Sequence, residues 1–192
     1  MRSTLLLALL GVGGLALWSP SARAKIVALD LPGMIASCDD AVHGTVVAQR
    51  VFRVDHPIDG PELFFTTITL AGRSLGSGDE VTVDLTFPGG FVTPEEGVYN
   101  SESPQAQEVA LGSEVVAFHD WTDNMGGDVA GHAIVAAHGG LYPVQGNRRG
   151  ERIVLGRGPG YAVSENVELE ALRGQIQGIT RELRETTEQE QR

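Results

Sequence analysis

The chain has 192 residues, 14 Lys+Arg against 25 Asp+Glu, a formal net charge of −11 and one cysteine. An acidic surface of this kind repels nucleic acid and anionic lipid, and the nearest basic run (Arg148, Arg149, Arg152, Arg157) is broken by glycines and Glu151, so no nucleic-acid partner is expected. A lone cysteine excludes an internal disulfide, and the length suits one domain whose core needs no such staple.

Arg2 supplies a short positive start, Leu5 to Trp18 is apolar apart from glycines, and Ser19-Pro20 breaks the run before Ala22-Arg23-Ala24. That order predicts a signal peptide over residues 1–24, cleaved after Ala24. The apolar run is about 14 residues, short of the roughly 18 to 20 that cross a bilayer. The expected destination is the periplasm or the cell exterior, with no transmembrane segment after cleavage. Residues 25–162 are assigned to a β-barrel or sandwich domain, and 163–192 to a C-terminal helix and polar tail. Cys38 lies well past the cleavage site, which argues against lipidation, and Asp39 and Asp40 raise its thiol pKa, which argues against a nucleophile.

Residues 25–40, with Pro32-Gly33, read as an extended arm or edge strand. His43 to Val54 is the first clear strand, with a candidate bulge at Gln49-Arg50. Asp55 to Pro61 is a turn by its prolines, glycine and aspartates. Phe64 to Ala71 alternates, with Phe64, Thr66, Ile68 and Leu70 on one face. A Gly/Ser turn leads to Glu80–Phe87, with Val81, Val83, Leu85 and Phe87 inward. Residues 88–112 have no clear period, and a loop that long in a compact domain is usually functional or partly mobile. Glu114–Trp121, His132–His138, Leu141–Val144 and Arg152–Leu155 read as further short strands.

After Gly160 the period changes. Leu169, Leu172, Ile176, Ile179 and Leu183 are spaced as a helical stripe, with acidic residues at its start and Ser164 as candidate N-cap. The stripe is expected to dock on the strands, the alternative being a homodimer through this helix. The predicted fold is all-β, a mainly antiparallel small barrel or sandwich, with one C-terminal amphipathic α-helix.

Several short signatures occur in order. They are His43-Gly44-Thr45-Val46-Val47, Phe65-Thr66-Thr67-Ile68-Thr69, Val81-Thr82-Val83 leading to Pro88-Gly89-Gly90, Leu111 to Phe118, and Tyr142-Pro143-Val144-Gln145-Gly146. This series resembles a group of uncharacterised exported bacterial proteins with a small barrel of OB or netrin-like type and a C-terminal helix. The resemblance implies that barrel and no particular activity. The paired cysteines of netrin-like inhibitors are missing here.

Three histidines and three aspartates fall between residues 119 and 138. His119, Asp120 and His132 are the candidate metal ligands, since zinc takes imidazole and carboxylate, and they meet if Thr122 to Gly131 is a hairpin loop. His132 and His138 lie too far apart along one strand to share a metal unless it bends at the alanines. Asp120, Asp123, Asn124 and Asp128 have some character of a calcium loop but lack the EF-hand pattern. Gly72-Arg73-Ser74-Leu75-Gly76 matches a nucleophile elbow in letters only, because a strand follows it rather than a helix. Tyr99, Trp121 and Tyr142 are the candidate ligand or partner surface. The leading expectation is a non-enzymatic, exported interaction or ligand-binding module that needs no cofactor. Its partner would be a protein, peptide or small molecule. The alternative is a metal-binding protein or metal-dependent hydrolase that uses zinc or calcium at residues 119–138.

Overall fold

A computed structural model describes residues 29–190. The leader expected at 1–24 lies outside the described residues. The elements are α1 (Leu31–Ala36), β1 (Asp40–His56), β2 (Gly60–Ser74), β3 (Glu80–Pro88), β4 (Gly90–Thr93), β5 (Glu96–Val98), β6 (Glu114–Thr122), β7 (Gly131–Ile134), a 3-10 turn (Ala137–Gly140), β8 (Leu141–Gly146), β9 (Arg152–Val154), β10 (Val167–Glu168) and α2 (Leu169–Glu190). The all-β reading with one long C-terminal helix holds.

Five strands close into a barrel in the order β1-β2-β3-β7-β6, with β6 returning to pair with β1. Every contact in it is antiparallel except β3 with β7, which is parallel. Closure is made in one short stretch of β1. Val42 to Thr45 pair with Ala71–Ser74 on one edge and with Glu114–Ala117 on the other. The two strands approach most closely at Gly44 and Gly72, which are register partners. A Cβ on Gly72 would overlap the His43 carbonyl oxygen, and one on Gly44 would stand 2.6 Å from that of Ala71. A bulge follows between Val46 and Ala48, two residues before the position expected from sequence. It leaves Val47 half exposed, and beyond it β1 no longer pairs with β6 while its pairing with β2 runs on to His56.

β6 is buried on both faces. Val115 and Ala117 join Val42, Ile68, Leu70, Leu85 and Ile134 inside the barrel. Val116 and Phe118 face outward and pack with Tyr142 and Val154 against Met34, Leu169, Leu172 and Ile176. The apolar stripe of α2 is thus spent on the chain's own barrel over its first half, while Leu183, further along, is partly exposed. β7 and β8 lie along the same edge of β6. The break between them falls at Ala136 and Ala137, both at positive φ (53° and 54°).

Three local readings need correction. Residues 31–36 are helical, not extended: Asp30 caps the turn by accepting from Gly33 N at 2.8 Å, and a proline opens it. The strand expected at His132–His138 ends at Ile134, so His138 sits in the 3-10 turn. Ser164 does not cap α2, because Val167 and Glu168 first pair with β9 and delay the helix to Leu169.

The backbone approach at the closure point sets a test. Gly72→Ala is expected to destabilise the protein by about 1–3 kcal/mol, because its methyl would have to displace a β1 carbonyl. Urea denaturation followed by circular dichroism measures it, and an unchanged midpoint would show that β1 and β2 are not so tightly apposed.

Candidate functional site

The aperiodic segment 88–112 builds the main concavity. Gly89 and Gly90 turn the chain back over the barrel, and the Gly90 backbone (φ 130°) lies so close that a Cβ there would overlap Thr66 Oγ1. β4 and β5 pair as a small hairpin. Beyond this hairpin, hydrogen bonds from serine side chains and from one distant backbone N–H hold the segment in place of regular structure. Ser103 Oγ donates to the Pro88 carbonyl, Ser113 Oγ to that of Gln107, and His138 N to that of Glu102. The result is a cleft of about 730 Å³ between this segment and the β1–β2 wall. Val51, Phe87 and Val109 give it an apolar floor, and Gln49, Asn100, Gln105 and Gln107 line it with amides. Phe91 and Tyr99 stand on its rim, 52% and 81% exposed.

The ionisable groups in the cleft wall are largely committed. Glu108 and Arg157 form an ion pair at 2.8 Å with both side chains mostly buried, and Arg157 Nε donates to the Leu141 carbonyl. His138 lies within hydrogen-bond distance of the Glu102 carbonyl and the Tyr161 hydroxyl. Arg50 stacks over Phe52, which stacks in turn on Phe65. The basic run is likewise divided: Arg157 serves Glu108, and Arg152 pairs with Glu114.

The predicted metal ligands are partly brought together. Trp121 faces His132 across the β6–β7 ladder, and His119 faces Ile134. His119 therefore points inward with Ala117, and its ring centre lies 4.8 Å from that of His132 in an edge-to-face contact. Trp121 packs its ring edge-to-face 5.1 Å from that of His132. Asp120 alternates to the opposite face, opposite Ala133, and His138 is engaged elsewhere. Among the described residues no group of three or more His, Cys, Asp or Glu side chains is arranged to hold a metal ion.

The acidic loop makes its contacts within the protein. Asp123 accepts from Trp121 Nε1, Asp128 from His56, and Asn124 Oδ1 from Gly126 N. His56 also lies beside Asp59, whose other contact is Gly127 N at 2.7 Å. The β1–β2 tip is thereby clasped to the β6–β7 loop. Of the three aromatic candidates, Tyr99 and Trp121 are exposed, but Tyr142 is a core residue with no exposed surface. It lies opposite Val116 on the helix-facing side, and its hydroxyl accepts from Val163 N. Ser74 ends β2 and its Oγ donates to Asp40, so the elbow-like letters mark a hairpin.

The framework is a small closed barrel extended by three further strands and roofed by a helix. No family model, curated protein or solved structure matches the chain.

One buried and one partly buried group set measurable behaviour. Burial, then His132, holds the His119 imidazole below its ordinary value of 6.5, against the opposing pull of Asp40, Asp39 and Asp120. Above that value both folded and unfolded chains carry it neutral. As pH falls the unfolded chain binds the proton first, so stability is lost on the acid side. His119→Phe is expected to flatten the stability profile between about pH 7 and 5, measured by urea midpoints in EDTA; an identical slope would refute the assignment. Burial, then Asp40, Asp120 and Asp39, pushes the Cys38 thiol up to about 12, and its Sγ lies 3.5 Å from the Ile35 carbonyl. Its reaction with a disulfide reagent at mild alkaline pH should be more than about tenfold slower in native protein than in urea.

Proposed function

We propose that the chain is an exported, OB-like binding module that holds a neutral ligand in the cleft beside the β4–β5 hairpin and performs no chemistry of its own. The strand order, with its single parallel contact between β3 and β7, supports the OB-like reading. Such barrels present ligands to an outer face and its bordering loops. The leader-like residues 1–24 support export, and no helix among the described residues is long and apolar enough to cross a membrane.

The observation that carries the binding reading is the composition of the cleft. Its size falls within the range of about 300–1,000 Å³ typical of ligand sites. An apolar floor, a lining of amides and two exposed aromatic rings suit a ligand with one apolar face and several hydrogen-bonding groups, such as a short peptide or an oligosaccharide. Glu108, Arg157 and His138 hold the walls together, which favours a rigid, preorganised receptor over a proton-transfer site.

Nuclear magnetic resonance of labelled protein, titrated with a panel of neutral peptides and oligosaccharides, tests this. Shifts should cluster on Val51, Tyr99, Asn100 and Gln105. Gln49→Trp, which fills the cleft from an exposed position, should abolish them without lowering the melting temperature. Shifts that map elsewhere, or persist in that variant, would overturn the assignment.

A further inference from the structure

His119 and His132 carry polar atoms that the fold leaves without partners. His119 is 5% exposed, and both of its ring nitrogens are buried with no hydrogen bond; His132 Nδ1 is in the same condition. Whichever tautomer the neutral His119 ring adopts, one lone pair and one N–H go unmet. Each such unpaired group carries an uncompensated desolvation cost. A pair of apolar side chains would fill the same space without that cost.

We propose that His119 and His132 form a two-imidazole site for a late first-row divalent cation, zinc or copper(II), with the remaining coordination positions taken by water or an exogenous ligand. Imidazole is a preferred donor for both ions. The rings are 4.8 Å apart. Two rings this close are near enough for one nitrogen of each to reach a shared ion at bond lengths of about 2.0–2.1 Å. The surrounding field favours a cation. Asp39, Asp40 and Asp120 all act on His119, and the first two are fixed by hydrogen bonds to Trp121 N, Ala41 N and Ser74 Oγ. They attract the ion through space without binding it. Trp121, half exposed beside His132, marks the side from which an ion would enter. The site differs from the triad expected from sequence, since Asp120 faces the other way.

The test is calorimetric titration of untagged full-length protein, first stripped with EDTA, using ZnCl2 and CuCl2 separately. The wild-type protein should take up one equivalent. His119→Phe and His132→Phe should each abolish the one-equivalent uptake, since each removes one of only two protein ligands, with their folds checked by circular dichroism. The second readout is Trp121 fluorescence in a Trp18→Phe background, since the chain has 2 tryptophans. Copper(II) should quench it to a plateau at one equivalent, and the His132→Phe variant should lose that quenching. If His119→Phe fails to fold, His132→Phe, whose ring is less buried, decides the matter. No uptake by the wild-type protein, or undiminished affinity in a folded His132→Phe variant, would overturn the proposal.

Discussion

The double pairing of β1 is the constraint on which the rest of the structure hangs. Residues Val42 to Thr45 give hydrogen bonds to β2 on one edge and β6 on the other, and without both the sheet would be open. Closure demands strong local coiling, and Gly44 facing Gly72 permits it by letting the two backbones approach within the space a methyl would occupy. At the bulge just beyond, β1 has parted from β6 and goes on with β2 alone. A few residues with almost no side chain thus decide that the chain is a barrel.

Closure forces β6 to serve two layers. Its odd residues complete the barrel interior, and its even residues form the floor on which α1, β8, β9 and α2 assemble. Continued along the strand, the same alternation separates His119 from Asp120. The histidine is carried into the interior face beside His132, while the carboxylate stays outside. The unmet nitrogens of His119 follow from the register of a closed sheet. The cleft has a different origin. It is made by a segment with no hydrophobic period, fixed by hydroxyls, amides and one buried ion pair. Removing either partner of that pair would leave a charge stranded in the wall.

Strand positions along β1, β2, β3 and β6 are legible in the sequence because period-two alternation is a direct consequence of half-buried pleated chain. The helical stripe of Leu169, Leu172 and Ile176 is legible for the matching reason at a period near 3.6. The start of α2 is not, because two residues ahead of it satisfy their backbone by pairing with β9. The helix at 31–36 does have a local signal, Asp30 before Leu31-Pro32, but one apolar turn is too short for periodicity to reveal. Tyr142 reads as surface because it adjoins a Pro in a short polar-ended strand, whereas α2 covers it from a distant part of the chain. Of the candidate site, the meeting of His119 and His132 can be anticipated from a hairpin. The orphaned state of their nitrogens cannot.

Local composition by itself determined the class of fold, the single long helix and the identity of most interior strand residues, since each follows from side-chain spacing within one element. Barrel closure, the shape of the 88–112 cleft, the inward turn of His119 and the burial of Tyr142 were decided only by tertiary structure. Each depends on which distant segment lies against which, and contacts between remote segments leave no periodic trace in either partner alone.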